Sequence, residues 1–327
     1  MREAMANAEV GDEQEREDPT VSELEHKAAS LLGQEEAVYL PTATMANQIA
    51  LAVLGERGTE LVAEESAHIL VHELGGAAYH SGLQTRGYPG RLGRLSPEQI
   101  NGSMVSDSIF HTPRTSVVAI ENTHNTAGGT VWPLDELQAV VTTCRELGLW
   151  IHLDGARLFN AAVALGVPVA QLAAPFDTVT ICLSKGLGCP LGALIAGSQA
   201  LMHRARTEKH RFGGAMRQAG IVAAAGVYAL NHNIERLAND HERARRLAVA
   251  WERQGLPVEL ERVQTNFVQV DVAALGLGEH EAVDRLAAAG VLLSRTMRAG
   301  VLRAVTHLDV DDESIDRACD LVPGALR

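Results

Sequence analysis

Cysteine and long apolar runs are scarce in this sequence, and each scarcity excludes a class of protein. The 327 residues include only four cysteines, whose spacing matches no metal-ligand or redox pair. Cys182 and Cys189 lie in an apparent core strand and the loop after it, which favours a reduced protein over a disulfide-bonded one. No uncharged apolar run reaches membrane-spanning length, and the acidic N-terminus is unlike a signal peptide. We therefore expect a soluble, cytoplasmic protein.

Positive charge is also in short supply. Lysine and arginine total 28 against 41 aspartates and glutamates, which gives a net charge of −13. The sequence contains no dense run of basic residues. Neither nucleic acid nor an anionic membrane is therefore expected as a main partner. The length suffices for one large domain or two moderate ones with a buried core.

Apolar strand-like segments alternate with helical patterns over most of the chain. This alternation predicts an α/β fold with a mainly parallel, doubly wound sheet. Further short segments near the C-terminus predict a smaller α+β domain. We place an N-terminal arm at 1–21, a large domain at 22–240 and the small C-terminal domain at 241–327. The predicted strands of the large domain include 37–40, 117–120, 149–153, 179–183 and 193–196.

The first helix is predicted from a local capping pattern. Residues 1–20 are polar and are expected to form a solvated arm. Ser22 followed by Glu25 matches a capping box, in which two side chains satisfy free amide groups at a helix start. Gly33 is expected to end this helix.

The segment 181–190 carries the strongest chemical signal. Its apolar run ends at Lys185, and Gly186 and Gly188 follow. Burying a lysine is costly unless it pairs or reacts, and a desolvated lysine can form a Schiff base with an aldehyde. The glycines allow a bulky ligand to approach closely. The alternative is a strand that simply ends in a solvated lysine.

A second apolar strand ends in a carboxylate at Asp154, with Arg157 three residues later. Parallel strands bring groups at their carboxyl ends into one crevice. Pyridoxal 5'-phosphate needs a lysine for its aldehyde and an acid beside its ring nitrogen, and Lys185 and Asp154 match those needs. Alone, Asp154 is equally consistent with a helix cap that has Arg157 as a surface partner.

A phosphate site is expected where the turn at 41–48 opens a helix. Amide groups at a helix start favour an anion, and Thr42 and Thr44 flank Ala43 with two hydroxyls. A threonine at this place is also a common helix cap with no ligand.

Four ordered motifs carry a resemblance to a known family. They are Glu-Asn-Thr-His-Asn at 121–125, His-Leu-Asp-Gly-Ala-Arg at 152–157, Leu-Ser-Lys-Gly-Leu at 183–187 and Gly-Gly-Ala-Met-Arg-Gln-Ala-Gly at 213–220. The chain closely resembles low-specificity L-threonine aldolases from its first residues to about residue 318. These are pyridoxal-phosphate enzymes of the aspartate-aminotransferase fold, fold type I.

The resemblance implies a function and an assembly. The implied reaction cleaves L-threonine, L-allo-threonine or a related β-hydroxy-α-amino acid into glycine and an aldehyde. It also implies a homodimer or homotetramer with shared active sites, and no metal. Two other classes remain open: a different pyridoxal-phosphate enzyme of this fold, such as a β-eliminating lyase or an aminotransferase, and a family member with little turnover.

Roles around the cofactor follow from the same resemblance. Lys185 would carry the cofactor, Asp154 would pair with its ring nitrogen, and His68 would stack over its ring. Thr42, Ala43 and Thr44 match the phosphate loop, where the family usually has Ser-Gly at the first two positions. Arg217 matches an arginine near the phosphate that reaches it from a neighbouring subunit, while an assisting family lysine falls on His210. His68 alone is more typical of a hydrogen-bonded core residue than of a catalytic one.

Roles around the substrate are implied in the same way. His124 matches a histidine beside the substrate hydroxyl and is the candidate base, which suits an imidazole titrating near neutrality. The polar turn that contains His124 is also consistent with residues that serve only the backbone conformation. Arg157 and Arg303 match the carboxylate clamp, for which the planar guanidinium is suited. Without the family, Arg303 equally fits an edge-strand charge that faces water.

The sequence departs from the family near its start. Family members usually begin with an Arg-Ser-Asp-Thr segment whose serine helps to bind the substrate carboxylate, and this sequence begins after it. Glu15 and Arg16 stand where the family has a Tyr-Gly pair. The expectation is an aldolase of reduced efficiency, or one whose true start lies upstream of Met1.

Overall fold

A computed structural model describes residues 1–105 and 109–327 of the chain. Its central sheet is built from β1 (Glu36–Leu40), β2 (Glu60–Glu64), β3 (Gln84–Tyr88), β4 (Thr115–Glu121), β5 (Trp150–Gly155), β6 (Thr178–Cys182) and β7 (Ala193–Gly197). The strands lie in the order β1-β7-β6-β5-β4-β2-β3. Among these strands, β7 alone runs antiparallel to its neighbours β1 and β6. The predicted α/β fold with a mainly parallel sheet is confirmed.

Helices cover both faces of this sheet, as a doubly wound fold requires. One apolar cluster fills the space under the helices of one face, and a second fills the opposite face. The helices are α1 (Arg2–Ala6), α2 (Pro19–Leu32), α3 (Ala43–Leu54), α4 (His68–Val71), α5 (Gly76–Ser81), α6 (Pro97–Ser103), α7 (Leu134–Glu146), α8 (Leu158–Leu165), α9 (Ala170–Ala173), α10 (Gln199–Arg211), α11 (Gly220–His232), α12 (Leu237–Arg253), α13 (Glu279–Ala288) and α14 (Asp312–Ala325).

The alternation of side chains along β5 determines what faces the site. Ile151 and Leu153 point into the first apolar cluster. Because successive side chains of a strand point to opposite faces, His152 and Asp154 point the other way. They meet α3, where both approach Asn47.

A second sheet lies in the C-terminal part of the chain. It contains β8 (Phe267–Asp271), β9 (Ser294–Arg295) and β10 (Val301–Val305) in the antiparallel order β8-β10-β9. A third apolar cluster, formed by residues between Ala244 and Leu326, fills this part. The predicted boundary at 240/241 falls inside α12 and stays a prediction.

The start of α2 differs from the predicted capping box, which is wrong. Asp18 is the cap, and its Oδ1 accepts a hydrogen bond of 2.9 Å from the Val21 amide. Glu25 is buried instead and accepts from the Tyr39 amide at 2.8 Å. Gly33 ends the helix as expected, with a left-handed φ of 66°.

The N-terminal segment is also less solvated than predicted. α1 packs against α11, and both Glu13 and Asp18 are buried. Glu13 pairs with the buried Lys209, and its Oε2 accepts from the Met216 amide at 3.0 Å. These contacts tie residues 12–18 to the segment after α10. None of the helices in the described ranges combines the length and apolar character of a membrane span.

Candidate active site

The carboxyl ends of β4, β5 and β6 meet at one edge of the sheet. The register pairs Glu121 with Asp154 across β4 and β5, and Lys185 follows the end of β6. Lys185 lies close enough to Asp154 for each charge to affect the pKa of the other. The lysine and the aspartate that the sequence singled out are therefore brought together.

Asp154 is held as a carboxylate by its neighbours. It is buried, and its Oδ2 accepts from Asn47 Nδ2 at 2.8 Å while Oδ1 accepts from the Ala156 amide at 3.1 Å. Burial alone would raise the pKa of Asp154, but Lys185, His68 and the Asn47 hydrogen bond outweigh it and lower that pKa. The group is therefore negatively charged at neutral pH.

The surroundings of Lys185 disfavour its charged form. Burial, followed by repulsion from Arg157, lowers the pKa of Lys185 below its ordinary value. Within the described residues its Nζ forms no hydrogen bond or ion pair, whereas the Nζ of Lys209 pairs with Glu13. A lowered pKa increases the neutral fraction, which is the form that attacks an aldehyde. The chain has two other lysines: Lys27, and Lys209, which Glu13 pairs.

His68 lies over this region at the start of α4. Its Nδ1 is 2.9 Å from Glu73 Oε1, and its backbone amide donates to Glu121 Oε2 at 2.7 Å. Burial tends to lower the pKa of His68, but Glu73, Asp154 and Glu121 raise it overall. Among the residues described, none hydrogen-bonds to its Nε2, so this edge of the ring is free.

His124 is more enclosed than the predicted base role suggested. Its side chain is 1% exposed, and its Nε2 lies 3.0 Å from Glu64 Oε2. Its Nδ1 accepts from the Ala127 amide at 3.3 Å. Burial opposes protonation, yet Glu121 and Glu64 raise the pKa of His124. Both ring nitrogens of His124 thus face protein groups, whereas in His68 only Nδ1 does so among the described residues.

Arg157 and Arg303 both lie against the ring of Phe267. Their guanidinium carbons lie 4.5 and 4.6 Å from the centre of the Phe267 ring. Arg303 Nη1 donates to Asn125 Oδ1 at 2.7 Å. Burial and then Arg303 lower the pKa of Arg157 to about 10. In the parts of the chain described, neither arginine has a carboxylate partner, so the pair is free to bind one.

The start of α3 is open to solvent, as a phosphate site requires. Thr42 is the cap, with its Oγ1 accepting from the Met45 amide at 3.2 Å, and Thr42 and Thr44 are exposed. Gly214 lies directly against Met45, where a side chain at 214 would collide with the sulfur. Arg217, three residues later, is exposed and pairs with Asp12 Oδ2 at 2.6 Å.

Known proteins resemble this chain over most of its length. Residues 1–274 match the beta-eliminating lyase family. The chain belongs to this family. The low-specificity L-threonine aldolase of Escherichia coli K12 is 40% identical over 96% of this chain and 92% of the relative. Low-specificity L-threonine aldolase 1 of Arabidopsis thaliana is 38% identical over 83% of this chain and 77% of the relative.

A solved structure extends the comparison to the fold. The threonine aldolase of Leishmania major superposes with a TM-score of 0.80 at 22% identity, covering 95% of this chain and 91% of that one. The resemblance to low-specificity L-threonine aldolases that the four motifs indicated is confirmed.

The candidate site contains polar residues that the sequence reasoning missed. Asn47, Glu73 and Glu121 contact the predicted residues, and His152 lies behind them. A signal existed for Asn47, because Asn47-Gln48 interrupts the apolar face of an otherwise buried helix. Buried polar side chains of this kind require partners.

His68, Glu73 and Asp154 also have a spacing that fits a metal ion. However, Asn47 Nδ2 donates to both Glu73 Oε1 and Asp154 Oδ2 at 2.8 Å. An amide donor already occupies these acceptors, so the cluster fits a hydrogen-bond network better than a cation.

Proposed function

We propose that this protein is a pyridoxal-phosphate-dependent aldolase. Its substrates would be L-threonine, L-allo-threonine or related β-hydroxy-α-amino acids, and its products glycine and an aldehyde. The observation that carries the proposal is the meeting of an unpartnered Lys185 with an ionised Asp154 at neighbouring strand ends. The names of the relatives from Escherichia coli and Arabidopsis thaliana supply the substrate class.

The residues fit the cofactor. Bound pyridoxal phosphate supplies an aldehyde for an amino group and a ring that accepts electrons from a bond broken at Cα. Lys185 would hold the aldehyde, Asp154 the ring nitrogen and His68 one ring face. The amides and hydroxyls at 42–44 would hold the phosphate, with Arg217 as an additional cation.

Substrate orientation is assigned to the two arginines. Arg157 and Arg303 would bind the amino-acid carboxylate, since both lack an internal carboxylate partner and both contact Phe267. Burial strengthens such an ion pair. Holding the carboxylate fixes which Cα bond breaks, because that bond must stand perpendicular to the cofactor ring.

An imidazole would accept the proton of the β-hydroxyl. His124 stays our predicted base, acting through water or with Glu64, which lies 3.0 Å from its Nε2. The free Nε2 of His68 makes that residue the competing candidate. Comparing kcat–pH profiles of His68→Asn and His124→Asn separates them, because only loss of the base removes the acidic limb.

We also propose a homodimer or homotetramer with shared sites. Leu74 and Tyr79 are 100% and 83% exposed and follow His68 closely in the chain. Exposed apolar side chains beside a site are typical of an interface. Arg217 is 61% exposed on its side chain, as a residue that serves a second subunit would be. Sedimentation of wild type and Leu74→Asp tests this, and a monomeric wild type would contradict it.

Product analysis tests the function itself. The purified protein, loaded with pyridoxal phosphate, is incubated with L-threonine and L-allo-threonine, with Lys185→Ala as control. Glycine and acetaldehyde in equal amounts support the aldolase. A 2-oxo acid with ammonia would assign β-elimination, a 2-oxo acid formed only with an amino acceptor would assign an aminotransferase, and no product would favour a member with little turnover.

A further inference from the structure

A chain of buried hydrogen bonds runs behind Asp154. Thr178 Oγ1 lies 2.9 Å from His152 Nδ1, and His152 Nε2 lies 3.1 Å from Asn47 Oδ1. Asn47 Nδ2 then reaches Asp154 and Glu73, each at 2.8 Å. All five residues are buried, so these groups exchange hydrogen bonds with one another and not with solvent.

In each of these hydrogen bonds, only one of the two groups can be the donor. Asp154 and Glu73 as carboxylates only accept, so the amide nitrogen of Asn47 must face them and its carbonyl must face His152. That carbonyl needs a donor, which requires the proton of a neutral His152 to sit on Nε2. The bare Nδ1 then accepts from the Thr178 hydroxyl. Burial supports the neutral form, since it lowers the pKa of His152 to about 4.

We propose that Asn47, His152 and Thr178 are positioning residues that fix Asp154 against the cofactor ring and Glu73 against His68. The role of these residues rests on the proposed function, whereas the series of hydrogen bonds is a property of the protein without any ligand. The Asn47 amide donates one hydrogen bond to each of two neighbouring carboxylates, Asp154 and Glu73. Without it they would repel each other and share a proton, which would leave Asp154 unable to hold a protonated ring nitrogen.

The neighbouring strand offers a matched pair of threonines. Thr178 and Thr180 lie on the same face of β6, opposite His152 and Asp154 respectively. Thr178 contacts His152, whereas the buried hydroxyl of Thr180 has no hydrogen-bond partner among the described residues. Replacing either by valine keeps the shape, but only Thr178→Val removes a hydrogen bond.

The first experiment compares affinities for pyridoxal phosphate, titrated into full-length apoprotein. Thr178→Val should weaken binding by about fivefold or more, the usual effect of leaving one buried acceptor unpaired. Thr178→Ser, which keeps the hydroxyl, and Thr180→Val should stay within about twofold of wild type. A packing role predicts the reverse order, with serine worse than valine, and that order would overturn the proposal. So would wild-type affinity in Thr178→Val.

The second experiment reads the histidine directly and needs neither cofactor nor activity. Nitrogen-15 histidine spectra of the wild-type protein should show His152 as the neutral Nε2–H tautomer, and Thr178→Val should reduce that population. An Nδ1–H tautomer or an imidazolium of His152 at pH 7 in wild type would refute the proposed series of hydrogen bonds. Because this readout is independent of turnover, a protein without aldolase activity would overturn the proposed function and leave this inference standing.

Discussion

At the scale of single residues, the candidate site differs from an ordinary protein interior in how its charges are partnered. Asp154 and Glu73 receive hydrogen bonds from Asn47, a neutral amide. Lys185 and Arg157 have no carboxylate bonded to them within the described chain. A buried cation without a counter-charge is costly, and an anionic ligand removes that cost. The absence of a bonded carboxylate at Arg157 among the described residues therefore favours a ligand that carries a carboxylate group.

Covalent attachment is the first residue-scale prediction. Lys185→Ala should abolish the link to pyridoxal phosphate, because the chain has only three lysines and Lys209 is committed to Glu13. Borohydride reduction followed by peptide mapping identifies the modified lysine. Lys27→Ala is the control and should keep the attachment. A pyridoxyl group on Lys27 or Lys209 of the wild type would remove Lys185 from its role.

The second residue-scale prediction concerns the charge of Asp154. Asp154→Asn keeps the size of the side chain but removes the negative charge that holds a proton on the ring nitrogen. We expect the protein to fold, and kcat to fall by about 100-fold or more, as when one preorganised electrostatic partner is lost. Steady-state kinetics with saturating cofactor measure this. Near wild-type kcat with cofactor bound would show that the carboxylate is not needed.

At the scale of elements, apolar periodicity predicted the strands well because their burial is a local property of the sequence. β4 to β7 were each found within two residues of their observed ends. The capping box at Ser22 failed for the opposite reason. Glu25 has the right spacing, but its carboxylate is taken by Tyr39 and by Arg206, which is 181 residues away.

The residues of the candidate site show the same contrast between local patterns and long-range contacts. Lys185 and Asp154 were predictable because each ends an apolar strand in a group that needs a chemical reason to be there. Asn47 and Glu73 were not singled out, because their importance depends on which elements meet. Asn47 is 107 residues from Asp154, and only the packing of α3 against β5 makes them neighbours. Local pattern therefore singles out candidate reactive groups but not the neighbours that hydrogen-bond to them.

The start of α3 gives an element-scale prediction. Thr42→Ala should remove a helix cap, costing about 1 kcal/mol of stability, and should also weaken the binding of pyridoxal phosphate. The binding of pyridoxal, which has no phosphate, should change little. Ser198→Ala removes the equivalent cap of α10 and is the matched control. Equal weakening of both ligands in Thr42→Ala would argue against a phosphate site at this helix.

At the scale of the whole molecule, the proposed carboxylate site joins two sheets. Arg157 follows β5 of the central sheet, while Phe267 and Arg303 belong to β8 and β10 of the small sheet. If Arg157 and Arg303 bind a carboxylate as proposed, that binding would depend on how the two sheets are held together. α12 connects them and contacts α8 through His241, whose Nε2 lies 3.0 Å from Asn160 Nδ2.

This contact predicts how the stability of the molecule depends on pH. His241 Nε2 must stay unprotonated to accept from the Asn160 amide, and burial lowers the pKa of His241 to about 4. In the unfolded chain the same imidazole titrates near 6.5. Between these values the unfolded state binds a proton that the folded state does not, so the free energy of unfolding falls as pH decreases.

His241→Gln should remove this dependence while its amide oxygen keeps accepting from Asn160. Between pH 7 and pH 5, wild type should lose about 2 kcal/mol more stability than the variant. Denaturant unfolding at both pH values and one protein concentration measures the difference, and the same substitution at the exposed His203 gives the baseline. If wild type and His241→Gln lost stability in parallel, the folded protein would be accepting the proton. The contact between α12 and α8 at His241 would then be open to water.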